Sequence, residues 1–256
     1  MVELITVYSP TKIPFITYEA LDEYATSVVA DFAPQRLKEP APHDVFGFIR
    51  DYLGLNVVYY KLPHEKQVIG FTAFHGGVIH VVNERTSLIE TAPVSGGTVI
   101  IDKSLTEERN VRRLRFTATH EGSHWLLHRK AFENDNPSGN IGAFNIRHLA
   151  AKTGTADYSR SKLEKTDKDR TERQADFLAA AILIPRPALR IAYCDFFHDI
   201  CEKPRALVRG ADPKDEYKAK RLTGYIANVF NVSNRAALIR LEKLNAIVSQ
   251  GAGDIR

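Results

Sequence analysis

Residues 115–128 read Arg115-Phe116-Thr117-Ala118-Thr119-His120-Glu121-Gly122-Ser123-His124-Trp125-Leu126-Leu127-His128. On an α-helix, residues four apart sit one turn apart on nearly the same face. His120 and His124 therefore aim both imidazoles at one point, where a zinc ion at the usual Zn–N distance of about 2.0–2.1 Å can be held. Glu121 falls on the flank of that face, placed to take a proton from water and pass it to a leaving amine. The plain alternative is a chance match on a surface helix. Against it, Gly122 stands in the helix interior at a cost of about 1 kcal/mol relative to Ala, which predicts close packing there. His128 lies another turn on, but each four-residue step rotates about 40° further round the axis. Three such histidines do not converge, so His128 reads as a core or supporting residue.

A third ligand must come from elsewhere. The metzincin pattern needs a Gly and a His at positions that are Leu127 and Lys130 here, so that branch is excluded. Glu172-Arg173-Gln174-Ala175-Asp176 supplies two acids four apart, hence on one helix face, ahead of the apolar run from Phe177 to Ile184. Glu172 is assigned to the metal. Asp176 is assigned behind the ligands, accepting the free N–H of a ligand histidine and fixing its tautomer. The reverse assignment of the two acids, and an ordinary salt bridge for Asp176, are the alternatives.

The first block resembles the R-F-T-x-A-H-E-x-x-H-x-x-L-H core of the ImmA/IrrE metallopeptidases. The second, Glu172-x-x-Ala175-Asp176-x-Leu178-Ala179-Ala180-x-Ile182-Leu183-Ile184-Pro185, resembles that family's E-x-x-A-[ND]-x-F-A-x-x-L-L-x-P. The tail Phe230-Asn231-Val232-Ser233-x-x-Ala236-x-x-x-Arg240-Leu241-x-x-Leu244 is similar to its helical ending. The resemblance runs from about residue 43 to residue 247. It implies a gluzincin-like site and a role in cleaving helix-turn-helix repressors of mobile elements or stress regulons. Three departures stand out: Gly122 replaces a large apolar residue, 48 positions separate His124 from Glu172 (172 − 124), and residues 1–40 match nothing in the family.

Outward from this centre, Thr17 caps a helix expected to run to about Phe32, with Leu21, Ala25, Val28 and Phe32 at helical spacing. A second helix carries Val45, Phe48, Ile49, Tyr52 and Leu53 and stops at Gly54. Strands follow at Val57–Leu62 and Ile69–Phe74, the latter turned by Gly76-Gly77 into Val78–Val82, with a further strand at Thr98–Ile101. Ser104-x-x-Glu107 reads as a capping box opening the histidine helix. A buried helix starts near Thr171 and ends at Pro185 and Pro187. Two last helices meet near Asn231, the second capped by Ser233 with Leu238, Leu241 and Leu244 as its apolar stripe.

The 256 residues carry 35 basic and 31 acidic side chains, a formal charge of +4 that is too small to argue nucleic-acid binding. The cluster Arg109, Arg112, Arg113 and Arg115 reads as a solvated helix face before a phosphate-binding patch. Two cysteines, Cys194 and Cys201, are too few for a disulfide framework and read as small apolar or half-exposed thiols. No signal sequence is legible at the N-terminus, and the longest apolar run falls far short of the ~20 residues that span a bilayer. A soluble, cytoplasmic protein without membrane contact is expected.

The expected fold is α+β: a small twisted sheet packed on the H-E-x-x-H helix and on a second ligand-bearing helix, with a helical C-terminal extension. Its expected segments are residues 1–42 (helical), 43–192 (a zinc peptidase domain with a polar insertion at about 134–169) and 193–256 (helical, with helix-turn-helix-like spacing). The expected partner is a protein substrate, a DNA-binding repressor encoded nearby. The rivals are a metal-binding regulator that acts on DNA or a partner without cleavage, and the toxin of a toxin–antitoxin pair. Tyr158 and the exposed histidines are the candidates for oxyanion stabilisation.

Overall fold

The computed structural model describes residues 13–63, 68–132, 167–210 and 212–249. The chain is mixed α and β, with helices predominating over three small sheets among the described residues. It divides into two compact units, Met1–Tyr24 with Asp44–Ala179, and Ala25–His43 with Ala180–Arg256. Most of the expected insertion lies outside the described residues, along with Tyr158, His148 and His64.

In the first unit, Thr17 Oγ1 accepts the Ala20 N–H at 3.2 Å and opens α1 (Tyr18–Phe32), as its sequence position implies. The second helix begins as α2 (Val45–Gly47), where Asp44 Oδ1 accepts the Gly47 N–H at 3.0 Å. It continues as a π-type turn over Phe48–Tyr52 and stops before Gly54, whose φ of +69° suits glycine.

Three strands, β1 (Asn56–Tyr60), β2 (Gly70–Ala73) and β5 (Thr98–Asp102), form a sheet in the order β1-β5-β2. β5 is parallel to β1, antiparallel to β2, and buried at every position, as its run of Val99, Ile100 and Ile101 requires. The expected turn of β2 into β3 (Gly77–Val82) does not form a hairpin. Instead β3 pairs antiparallel with β4 (Ile89–Val94), which the sequence reading missed. The division follows burial: β2 is buried throughout and goes to the central strand, whereas β3 exposes Val78 and His80 and suits a half-solvated ribbon. β4 carries Glu90, Thr91 and Pro93, which obscured it as a strand; Pro93 is tolerated because β4 is an edge.

The expected capping box is also corrected. Asp102, at the end of β5, accepts the Ser104 N–H at 2.9 Å with one carboxylate oxygen and the Leu62 N–H at 2.8 Å with the other. This opens a 3-10 turn over Lys103–Thr106, Glu107 is extended, and a second such turn over Glu108–Asn110 leads into α3 (Val111–Phe132). Asp102 outcompetes Ser104 because a buried carboxylate with two oxygens can bind two backbone donors at once. α3 lies against β2 and β5. Its far end is closed by His75, whose ring nitrogen donates to the Phe132 carbonyl at 2.6 Å, and by Phe74 stacked on Phe132 and Trp125. The next helix, α4 (Asp167–Leu183), starts four residues before the expected Thr171.

In the second unit, Pro185 ends α4 and opens α5 (Arg186–Asp199), with Pro187 in its first turn. The kink leaves the last α4 carbonyls without helical partners. Two buried arginines supply them: Arg36 reaches the Ile182 and Leu183 carbonyls at 3.3 and 3.2 Å, and Arg240 Nε the Ile184 carbonyl at 3.1 Å. β6 (Leu207–Arg209) pairs parallel with β7 (Ile247–Ser249) beside α6 (Pro213–Val229) and α7 (Asn234–Lys243). Ser233 caps α7 as expected, accepting the Ala236 N–H at 3.1 Å. The buried stripe of α7 is Ala236, Ala237, Arg240 and Leu241, however, while Leu238 and Leu244 are half-buried. An arginine replaces a leucine in that core because carbonyl acceptors are waiting there. Cys194 and Cys201 are both free and exposed, rather than packed as small apolar groups. Among the described residues no single helix is long and apolar enough to cross a membrane.

Asp215 ties β6 to α6. Its carboxylate takes two hydrogen bonds from Arg205 and one from the Val208 N–H, and chiefly the Arg205 bonds hold it down to about 2. A lowered native pKa adds stability above the unfolded value of about 3.9, and that stability is lost as the pH falls through the native value. Arg205 is half exposed, which limits the gain. Asp215→Asn is expected to cost about 1 kcal/mol at neutral pH. In thermal melts recorded against pH, the wild-type and variant midpoints should converge between about pH 4 and pH 2.

Candidate metal centre

From Thr117 to His124 every residue of α3 is buried. A helix segment so deep must find partners for each polar side chain it carries. Two of the smaller ones bond back along the helix: Thr119 Oγ1 donates to the Arg115 carbonyl at 2.9 Å, and Ser123 Oγ to the Thr119 carbonyl at 2.8 Å, whereas Thr117 Oγ1 has no hydrogen-bond partner among the described residues. The two imidazoles cannot do this. His120 and His124 instead bring their Nε2 atoms within 3.0 Å of one another.

α4 brings Glu172 to the same point. Its Oε2 lies 3.4 Å from His120 Nε2 and its Oε1 3.7 Å from His124 Nε2. One ligand atom from each of the three residues lies within 4.8 Å of the others, so the group could hold a metal ion. A tetrahedral ion with bonds of about 2.0–2.1 Å separates its ligand atoms by about 3.3 Å, close to the spacings found. Glu172 Oε1 is buried and has no hydrogen-bond partner among the described residues, a lone pair left for a cation. Asp176, one turn on, lies behind the pair: its Oδ1 is 2.9 Å from His120 Nδ1. Asp176 thus approaches the Nδ1 side of the His120 ring, and Glu172 its Nε2 side.

Glu121 is fully buried beside this group. Thr72 Oγ1, from β2, lies 3.0 Å from its Oε2 and 2.9 Å from its backbone carbonyl. Its Oε1 has no hydrogen-bond partner among the described residues. Gly70 makes room for the neighbouring Thr117, since a Cβ there would stand only 2.7 Å from Thr117 Cγ2, while its 3.5 Å from Glu121 Oε1 would be ordinary contact. Thr72 and Gly70 escaped the sequence reading. The available signal was a hydroxyl and a glycine inside an otherwise apolar strand, both marking where a neighbouring element comes close.

Burial pushes the Glu121 carboxyl up to about 8, opposed by His120 and Thr72 and reinforced by Glu172 and Asp176. Burial also disfavours the charged form of His120, but the hydrogen bonds and charges of Asp176 and Glu172 outweigh it and lift the ring well above its ordinary value. His124 is held well below, by burial first and then by His120 and His128. Burial likewise takes His128 down to about 4. Of the remaining histidines, His75 is spent on the end of α3, and His43 is buried in the second unit with its Nδ1 2.8 Å from Arg36.

Gly122 explains itself once packed. A Cβ at that position would lie 3.0 Å from Leu53 Cδ1, 3.6 Å from Phe48 Cε1 and 3.8 Å from Ile49 Cγ1. The π-type turn fills the space that a large residue at position 122 would otherwise occupy. Gly122→Leu is expected to destabilise the fold by about 1–3 kcal/mol through overpacking. A lowered denaturation midpoint with unchanged denaturant slope would register it.

No protein-family model matches this chain, and no curated protein matches it, so the geometry of His120, His124 and Glu172 carries the functional reading.

Proposed function

We propose that the chain is a zinc-dependent endopeptidase, with His120, His124 and Glu172 as ligands, Glu121 as the proton carrier, and Asp176 orienting His120. The convergence of two Nε2 atoms and one carboxylate beside a second, buried carboxylate carries this reading. Two nitrogens and one oxygen are the protein ligands of a catalytic zinc with one position open to water or substrate. Bound there, zinc supplies a Lewis acid for the scissile carbonyl and a positive charge that favours ionised Glu121. Glu121 accepts the proton of the attacking water at Oε1, the oxygen that Thr72 leaves free, and passes it to the departing amine. In this reading the three-stranded sheet and helices α3 and α4 are the catalytic frame.

The substrate proposal rests on the resemblance to the ImmA/IrrE metallopeptidases: a helix-turn-helix repressor encoded nearby, cut at one accessible segment. β2 is buried along its length, whereas β4, paired with β3 alone among the described residues, is exposed at Ile89, Glu90 and Thr91. β4 thus offers one edge to which an extended peptide can add its backbone.

Reconstituted protein should hold about one zinc per chain by elemental analysis. Alanine at His120, His124 or Glu172 should abolish tight binding. Full occupancy in Glu172→Ala with loss in Asp176→Ala would reverse the roles of the two acids.

Glu121→Gln should keep the fold and the zinc while lowering cleavage at least about a hundredfold. With the neighbouring repressor as substrate, one discrete pair of fragments is expected, absent with a chelator. Tight repressor binding without a cut would favour the non-enzymatic regulator, and comparable degradation of unfolded casein would contradict a narrow substrate range.

A further inference from the structure

His128 is fully buried one turn beyond the second ligand, and its Nδ1 lies 3.1 Å from His124 Nδ1. Its Nε2 lies 3.0 Å from Gln174 Oε1 on α4, and Gln174 Nε2 donates to the Pro14 carbonyl at 2.8 Å. The polarity of this chain can be worked out from its far end. A backbone carbonyl only accepts, so the Gln174 amide nitrogen faces Pro14 and the amide oxygen faces His128. That oxygen only accepts, so the proton of a neutral His128 is on Nε2 and its Nδ1 is bare. A bare Nδ1 only accepts, so His124 carries its proton on Nδ1. His124 Nε2 is then left as a lone pair, directed toward His120 and Glu172. The other tautomer of either ring, or a flip of the amide, sets two acceptors face to face.

The anchor is built in as well. Residues 13–18 lie along one face of α4: Arg170 donates to the Ile13 carbonyl at 3.2 Å and stacks on the Phe15 ring at 3.8 Å, and Tyr18 stacks on Phe177 at 4.7 Å. Positions 170, 174 and 177 fall on the same helix face, with Gln174 the central contact and the one 3.0 Å from His128 of α3. We infer that His128 and Gln174 are positioning residues that hold His124 in its metal-binding tautomer, with the Pro14 carbonyl as the fixed end of the relay. His124 thereby has an orienting partner equivalent to the one Asp176 gives His120, made from neutral groups in place of a carboxylate. The inference rests on the reading of His120, His124 and Glu172 as a metal site.

The test uses the whole chain and zinc ions alone. Gln174→Leu keeps bulk but cannot accept from His128, whereas Gln174→Glu keeps the acceptor. Zinc affinity, measured by competition with a chromophoric chelator, should fall about 10–100-fold in Gln174→Leu, the usual effect of losing an orienting partner, and be largely retained in Gln174→Glu. A space-filling role predicts the reverse order, with Leu tolerated and a buried carboxylate harmful, and that order would overturn the relay. Nitrogen-15 NMR of the wild-type imidazoles gives a second readout that needs no variant to fold: His128 should be protonated on Nε2 and bare on Nδ1. A proton on His128 Nδ1 would overturn the inference. Should the wild type bind no zinc, the metal reading fails, and the tautomers of His124 and His128 in the metal-free protein still decide whether the relay exists.

Discussion

Two imidazoles one helical turn apart, on a stretch of α3 that is buried end to end, point their Nε2 atoms at a single place. The surrounding arrangement of this unit follows from that constraint. Polar side chains removed from water must be paired or lose several kcal/mol, and two ring nitrogens 3.0 Å apart cannot satisfy one another in both directions. The deficit is met from three sides: Glu172 in front, Asp176 behind His120, and His128 behind His124. Each is one or two helical turns from a neighbour in the same set, so two helices suffice to build the centre.

Space around the centre is shaped as much by missing side chains as by those present. Gly122 lets the Phe48–Tyr52 turn and Leu53 press against α3, and Gly70 lets β2 pass close to Thr117 and Glu121. Close approach has an electrostatic consequence. Burial pushes the Glu121 carboxyl up to about 8, and the Thr72 hydroxyl 3.0 Å from its Oε2 opposes the shift.

The second unit applies the same rule to backbone groups. Pro185 stops α4 abruptly, and the carbonyls of Ile182, Leu183 and Ile184 would be stranded in an apolar interior. Arg36 and Arg240, both buried, donate to all three. Guanidinium suits the task because its donors lie in a rigid planar fork that can reach several acceptors at once. The same geometry recurs where Arg205 grips Asp215.

Local chemistry and periodicity were legible in the chain. The four-residue spacings of His120 with His124 and of Glu172 with Asp176, the caps at Thr17 and Ser233, the stop at Gly54 and the buried β5 all follow from rules that act within one turn or one strand. Strand partnership did not follow, because β2 and β3 are each plausible hairpin arms and only the demand of β5 for a second neighbour separates them. Nor did the cap at Ser104, where a carboxylate from the preceding strand displaced the local candidate. Thr72, Gly70, Gln174 and Arg240 were invisible for a shared reason. Each acts on a group 46 to 56 residues away or packs against one, and such partners exist only once helices and sheet have come together. Which side chains meet α3 is therefore a property of the packed chain, whereas the convergence of His120 and His124 follows from their four-residue spacing alone.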